Sequence, residues 1–203
     1  MPAKATMRWR APLALLAGLV HASSFAPFPT GWVQLLAMAA AWSLVVGLGR
    51  RPGLARTGQA AWVGLLFGLG TFTAGLCWLY VSMHDFGGMP APLAALAVVL
   101  LSAYLALFGA LAFALAHRWR GSGAAPSWRT AVLLGALWGG GEIVRAYLFT
   151  GFPWLSIGYA HVEGPLFALA PLAGIYGIGV LAAAAVAAFV GALHAIRPAT
   201  TRA

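Results

Sequence analysis

Six long apolar runs, separated by short segments that hold nearly all of the charge, make up most of the 203-residue sequence. A helix needs about 20 apolar residues to cross the hydrocarbon core of a bilayer, and each run is close to that length. Backbone polar groups in lipid must be paired within the protein, and uniform apolar runs favour helices over alternating barrel strands. The sequence therefore predicts an all-α membrane protein, a single bundle over residues 1–203 of about six transmembrane helices, at residues 9–25, 32–48, 60–81, 92–116, 130–149 and 165–193.

Composition favours lipid, and not nucleic acid, as the partner of this chain. Hydrophobic residues make up 62% of the sequence and charged residues only 7%, whereas a soluble domain carries about 25% charged residues. The net charge of +9 is typical of nucleic-acid-binding proteins as well. However, short basic clusters between apolar runs are typical of the loops of membrane proteins.

Glycine and proline predict details of helix packing. The sixth run contains Pro171 and Gly174, and since proline removes a backbone donor we predict a break near the start of that helix. Small residues at four-residue spacing allow helix backbones to approach closely. The pairs Gly64 with Gly68 and Gly135 with Gly139 therefore predict close packing, within one bundle rather than in a dimer.

The basic residues predict the orientation of the bundle. Eleven of the twelve lie before the first run, in alternate loops or after the sixth run. Because Lys and Arg concentrate in cytoplasmic loops, we expect both termini in the cytoplasm and segments 25–31, 82–91 and 150–164 on the periplasmic side of the bacterial inner membrane. The first run could instead be a cleaved signal peptide, but the turn-like residues 25–29 favour a connection into the second helix. The eleven residues are Lys4, Arg8, Arg10, Arg50, Arg51, Arg56, Arg118, Arg120, Arg129, Arg197 and Arg202.

Few side chains can perform acid, base or nucleophilic chemistry. The carboxylates are Asp85, Glu142 and Glu163, and Cys77 lies within an apolar run without an acid or base nearby in sequence. Glu142 and Arg145 are three residues apart and share one helix face. They are either a structural ion pair that lets both groups be partly buried, or a polar anchor for a lipid headgroup or a docked domain. No catalytic residue is predicted.

Two further polar segments allow weaker hypotheses. His84 and Asp85 precede the segment 86–90, which is either a solvated turn or a loop that closes over a substrate. His161 and Glu163 provide only two possible metal ligands, and a zinc site needs at least three from the protein. The sequence contains neither a phosphate loop nor a dinucleotide fingerprint. Neither a metal nor a cofactor is expected.

Several strings in the chain resemble apolipoprotein N-acyltransferase. The string at 148–155, Leu-Phe-Thr-Gly-Phe-Pro-Trp-Leu, is the most specific, and the others keep the order and spacing of that family. The remaining strings lie at residues 25–28, 78–82, 86–90, 100–105, 137–145, 158–159 and 164–174.

This resemblance implies an acyltransferase that performs the last step of bacterial lipoprotein maturation. The family transfers an acyl chain from a phospholipid donor to the N-terminal amine of a diacylglyceryl apolipoprotein. A Glu–Lys–Cys triad in a periplasmic nitrilase-like domain forms a thioester acyl-enzyme. Neither Lys4 nor Cys77 matches the context of that triad. The chain is therefore expected to be the membrane part alone, whether a fragment, a truncated product or half of a split enzyme.

We expect this membrane part to be inactive by itself and to hold both lipid substrates beneath a nitrilase-like domain, supplied in cis or in trans, within the lipid bilayer. A non-enzymatic membrane scaffold or a small transporter is the alternative. The absence of a repeat between the two halves of the sequence disfavours a transporter. The residues expected to face the substrates are Phe86, Gly87, Gly88, Pro90, Phe152, Pro153, Trp154 and Tyr159.

Overall fold

A computed structural model describes residues 3–25, 27, 30–49, 53–120 and 128–196, with side chains from residue 9 onward. Within these residues every regular element is helical, which confirms the predicted all-α class. A π-helical turn (Ser82–Phe86) and three 3₁₀ turns (Leu148–Thr150, Ile157–His161 and Phe167–Leu169) supplement the α-helices. The α-helices are α1 (Ala3–Ala22), α2 (Gly31–Val46), α3 (Leu54–Gly75), α4 (Cys77–Val81), α5 (Ala91–Trp119), α6 (Trp128–Tyr147) and α7 (Ala170–Ile196).

Three helical segments are long and apolar enough to cross a membrane: Ala91–Trp119, Trp128–Thr150 and Phe167–Ile196. Leu54–Gly75 and Cys77–Phe86 together make a fourth such segment, bent by 50°. α2 is also apolar, but it has only 16 residues. These segments make the chain a helical membrane bundle. Six spans with both termini in the cytoplasm remain a prediction.

Part of the predicted topology falls outside the described residues. Arg50, Arg51, Arg197 and Arg202 lie there, as do the side chains of Lys4 and Arg8 and residues 26, 28 and 29 of the predicted turn after the first helix. The basic residues with described side chains are Arg10, Arg56, Arg118, Arg120, Arg129 and Arg145.

The prediction of one continuous helix over residues 60–81 is wrong. α3 ends at Gly75, and Leu76 has a non-helical backbone (φ −110°, ψ 10°) before α4 begins at Cys77. Leu155 packs directly against Gly75, where an added Cβ atom would lie 3.0 Å from Leu155 Cδ2. A loop residue therefore occupies the space beside this helix end. The residues around Gly75 do not predict this contact, because Leu155 is distant in sequence.

The predicted break near the start of the last helix is confirmed. Gly174 has φ 61° and ψ −177°, a conformation that side chains with a Cβ atom avoid. The predicted close packing is also confirmed, and it lies within the bundle. Cβ atoms added at Gly64 and Gly68 would lie 2.9 Å from Ala110 Cα and 2.7 Å from Ala106 Cα of α5. The glycines of α3 thus allow α5 to pack closely against α3.

Candidate functional site

The chain between α6 and α7 folds back over one end of the bundle. We call residues 148–169 the α6–α7 loop. Phe149, Thr150 and Leu155 have positive φ values of 52°, 73° and 58°. A backbone conformation with positive φ costs a non-glycine residue about 1 kcal/mol or more, so the surrounding structure must hold these three residues in place. The loop is therefore fixed by its contacts with the bundle.

Glu142 of α6 provides the first of these contacts. Its side chain is only 5% exposed. Oε1 accepts a hydrogen bond from the backbone N–H of Ile157 (2.8 Å) and another from Trp138 Nε1 (3.2 Å). Oε2 has no hydrogen-bond partner among the described residues. It faces Gly179 of α7, where an added Cβ atom would lie 2.6 Å away, so this glycine makes room for the carboxylate.

Arg145, one turn further along α6, provides the second contact. It is 3% exposed, and its guanidinium lies 5.1 Å from the centre of the Phe72 ring. Nη1 donates to the carbonyl oxygen of Trp154 (2.5 Å), and Nη2 donates to Ser156 Oγ (3.0 Å). Ser156 in turn donates to the carbonyl oxygen of Pro153 (2.8 Å). The guanidinium thus fixes residues 153–156 of the loop.

Glu142 and Arg145 lie on one face of α6, as their spacing predicts, and the two groups attract each other electrostatically. The hydrogen bonds that they make to the α6–α7 loop go to Ile157, Trp154 and Ser156. Whether the two act as a structural pair or as an anchor stays a prediction. Their burial favours a structural role over direct contact with a lipid headgroup.

His161 links the far end of the loop to α2. Its Nε2 lies 2.8 Å from Oε1 of Gln34, and both side chains are buried. Burial lowers the pKa of His161, so the neutral ring is favoured and can donate to the amide oxygen. Within the described residues no group of three His, Cys, Asp or Glu side chains is placed to hold a metal ion.

An open groove of about 570 Å³ lies beside this anchored loop. We call it the aromatic groove. Trp78 and Trp154 both line it, with ring centroids 6.4 Å apart, and the Phe152 ring packs against Trp154 at 5.4 Å. Its lining is mostly apolar, as expected for a site that takes a hydrocarbon chain. The lining residues are Phe25, Gly75, Trp78, Pro153, Trp154, Leu155, Tyr159 and Val162.

The predicted substrate-facing residues divide into two sets. Pro153, Trp154 and Tyr159 line the aromatic groove, and the ring of Phe152 packs against that of Trp154. The second set (Phe86, Gly87, Gly88 and Pro90) is absent from the groove lining.

The second set belongs to a turn that we call the 82–90 turn. Met89 N donates to Met83 O (2.9 Å), and His84 Nδ1 lies 2.8 Å from Met89 O. Phe86 extends outward and is 86% exposed. The structure therefore keeps this set separate from the groove.

Sequence reasoning missed several residues that build the site. Gln34 and Ser156 complete the loop's hydrogen bonds, and Gly179 accommodates Glu142. A signal existed for Gln34, because a polar side chain inside an apolar membrane helix is costly unless it has a partner. Trp78 was not among the residues expected to face the substrates, although it lines the groove.

Comparison with known proteins identifies the family. A family model described as “Apolipoprotein N-acyltransferase N-terminal domain” matches residues 17–188. The apolipoprotein N-acyltransferase of Ralstonia nicotianae is 49% identical over 183 residues, which is 88% of this chain and 33% of that protein. The Bordetella bronchiseptica protein of the same name is 47% identical over 94% of this chain and 36% of its own length. The chain therefore spans about a third of these relatives. It belongs to the apolipoprotein N-acyltransferase family and corresponds to the N-terminal domain of that family.

Proposed function

We propose that this chain is the membrane domain of an apolipoprotein N-acyltransferase, and that the aromatic groove binds an acyl chain of a lipid substrate. The observation that carries the proposal is the groove itself, an apolar space of about 570 Å³ whose lining includes the neighbouring rings of Trp78 and Trp154. That volume is within the range of small-molecule sites, about 300–1,000 Å³.

The reaction named in the relatives supports a lipid ligand. N-acyl transfer to an apolipoprotein breaks an acyl bond in the donor and forms an amide at an amine of the protein. The resemblance described above implies a phospholipid as donor and a diacylglyceryl apolipoprotein as acceptor, so both substrates carry long hydrocarbon chains. Binding such chains in a fixed position lowers the entropic cost of bringing the ester and the amine together.

The buried polar contacts give the groove a rigid wall. Trp154 belongs to the loop that Arg145 holds through the Trp154 carbonyl oxygen, and Leu155 and Tyr159 flank the Ile157 N–H bound by Glu142. We propose that Glu142 and Arg145 act as positioning residues for this wall. The nucleophile and base would come from the nitrilase-like domain that the resemblance implies, lying over the open side of the groove.

We further propose six spans in the bacterial inner membrane. α3 and α4 together form one span, and α1, α2, α5, α6 and α7 form one span each. The proposed cytoplasmic end carries Arg10, Arg56, Arg118, Arg120 and Arg129. The opposite end carries the 82–90 turn and the α6–α7 loop, which contain neither Lys nor Arg. The positive-inside rule supports this orientation, in which the groove opens at the periplasmic surface. A non-enzymatic scaffold or a small transporter is not favoured, because the relatives are named as acyltransferases.

A chimera tests the proposal. The matching N-terminal third of the Ralstonia nicotianae relative is replaced with this chain, and acyl transfer from phospholipid to a diacylglyceryl peptide is measured in proteoliposomes. We expect activity in the chimera and a strong loss in Trp154→Ala. Trp128→Ala is the matched control, since Trp128 is an exposed tryptophan at the far end of α6. A folded chimera without activity, or equal losses in both variants, would contradict the proposal.

A further inference from the structure

A small cavity lies within the bundle, where α1, α3, α5 and α6 meet. It offers about 30 Å³ to the centres of water molecules, and a cavity needs about 10–15 Å³ by that measure to hold one water. Part of its wall is apolar, as Phe67 and Leu105 illustrate, but His21, Thr71 and Glu142 line it as well. The cavity therefore has room for one or two water molecules beside polar side chains.

Two buried polar atoms of the lining residues have no hydrogen-bond partner among the described residues. His21 is 1% exposed, and its Nδ1 is one of these atoms. The other is Oε2 of Glu142, whose Oε1 accepts both of the hydrogen bonds that this carboxylate makes. A buried polar atom that lacks a hydrogen bond costs free energy. Both residues therefore favour a ligand that can form hydrogen bonds.

The size and the charges of the cavity favour water as that ligand. Arg145 lines the cavity together with Glu142, so a cation would face a guanidinium and an anion would face a carboxylate. An apolar molecule would leave both polar atoms without a hydrogen bond. A water molecule can donate to a carboxylate oxygen and to an imidazole nitrogen at the same time, and buried waters make about three hydrogen bonds on average.

We propose that this cavity holds one or two ordered water molecules that bridge His21 Nδ1 and the carboxylate of Glu142. His21 also forms a hydrogen bond with the backbone of Gln34, and the side chain of Gln34 binds His161 of the α6–α7 loop. Glu142 binds the backbone N–H of Ile157 in the same loop. The bridging water thus joins two separate anchors of the loop into one hydrogen-bonded network across α1, α2 and α6.

The first test detects the water directly and is independent of acyl transfer. The 203-residue chain is placed in nanodiscs, and magnetisation transfer from water to leucine methyl groups is measured by NMR. Leu105 lines the cavity, whereas Leu134 is equally buried, at 0% exposed, and is not part of the lining. We expect transfer to Leu105 and none to Leu134. An absence of transfer to Leu105, or equal transfer to both, would overturn the proposal.

Gly109→Ala is designed to displace the water. Gly109 lines the cavity, and a Cβ atom there would lie 3.4 Å from the carbonyl oxygen of Gly64 and 3.7 Å from the Trp138 ring, which are ordinary contact distances. Gly140→Ala is the matched control, because an added Cβ atom meets nothing within 4 Å. Displacing a bridging water leaves buried polar atoms unpaired. We therefore expect a thermal unfolding midpoint about 3 °C or more below that of the control. A midpoint equal to or above that of the control would indicate a dry cavity and overturn the proposal.

The same variant separates water from exchangeable side-chain protons. The Thr71 hydroxyl also lines the cavity and is still present in Gly109→Ala, so transfer to Leu105 that persists in this variant would come from the hydroxyl and overturn the proposal. If Gly109→Ala does not fold, Thr71→Val decides. It removes the hydroxyl while nearly keeping the shape of the side chain, and the transfer to Leu105 must then persist.

Hydrogen exchange tests the connection to the loop. Without the bridging water, Glu142 should hold the backbone N–H of Ile157 less firmly. We expect this amide to exchange about fivefold faster in Gly109→Ala than in Gly140→Ala. The amide of Met89, which is bonded within the 82–90 turn, should be unchanged. Equal rates at Ile157 in the two variants would overturn the bridging role.

Discussion

The α6–α7 loop and the 82–90 turn belong to the same end of the bundle but are held in different ways. The first is hydrogen-bonded to helices α6 and α2, through Glu142, Arg145 and Gln34. The second is closed by hydrogen bonds within itself, from Met89 to Met83 and from Gly87 to Ser82. One conformation therefore depends on the whole bundle, whereas the other is local.

This difference indicates where a rigid binding surface can form. The α6–α7 loop contributes Pro153, Trp154 and Tyr159 to the aromatic groove, and its buried anchors fix their positions. The 82–90 turn leaves Phe86 almost fully exposed. A site that must hold an acyl chain in register with a reacting group needs the first kind of support.

Among the substitutions that test this difference, Arg145→Ala is expected to change the free energy of unfolding most. It removes two hydrogen bonds from a buried guanidinium and leaves the Trp154 carbonyl oxygen and Ser156 Oγ without their donor. We expect a loss of about 3 kcal/mol in the free energy of unfolding, measured by reversible unfolding in detergent. Arg129→Ala, at an exposed arginine beside Trp128, is the control and should change it by less than about 0.5 kcal/mol. Similar losses in both would contradict the anchoring role.

Gly179→Ala tests the second anchor. The new methyl group would lie 2.6 Å from Glu142 Oε2 and displace the carboxylate from Ile157 N. We expect a loss of about 1–3 kcal/mol in the free energy of unfolding, together with weaker binding of acyl ligands. Gly140→Ala is the control, because a Cβ atom there meets nothing within 4 Å. It should be neutral or stabilising by up to about 1 kcal/mol. A neutral Gly179→Ala would mean that the carboxylate has room to move.

As the pH falls, we expect the α6–α7 loop to be destabilised before the 82–90 turn. Burial lowers the pKa of His161 in the folded state, while in the unfolded chain it is about 6.5. The unfolded state therefore takes up the proton first as the pH falls below about 6.5, and stability decreases by up to about 1.4 kcal/mol per pH unit until the folded pKa is reached. Hydrogen exchange of the backbone amides of residues 156–161 measures this effect. His161→Gln should reduce the pH dependence at these amides, and an unchanged pH dependence in that variant would exclude His161 as its cause.

Much of the helical fold could be predicted from the sequence, because apolar runs of membrane length leave few alternatives to helices. The shared face of Glu142 and Arg145 also followed from their spacing. Their partners could not be predicted, because they are the backbone N–H of Ile157 and the backbone carbonyl oxygen of Trp154. Backbone groups of this kind occur in nearly every residue type, so the sequence does not single them out. The break at Leu76 was missed for a similar reason. Leu155, which packs against the end of α3 at this break, is distant in sequence.

Phe86→Ala should have the smallest effect, and it sharpens the comparison between the two segments. Because Phe86 is 86% exposed and absent from the groove lining, we expect the free energy of unfolding to change by less than about 0.5 kcal/mol. Binding of acyl ligands should also be unchanged. Acyl transfer by the chimera is the more informative readout, since an exposed aromatic ring beside a groove can still contact a substrate or a docked domain. Unchanged activity would restrict the binding surface to the anchored loop. A loss of activity at full stability would extend that surface to the 82–90 turn, and the two segments would then share a function despite their different support.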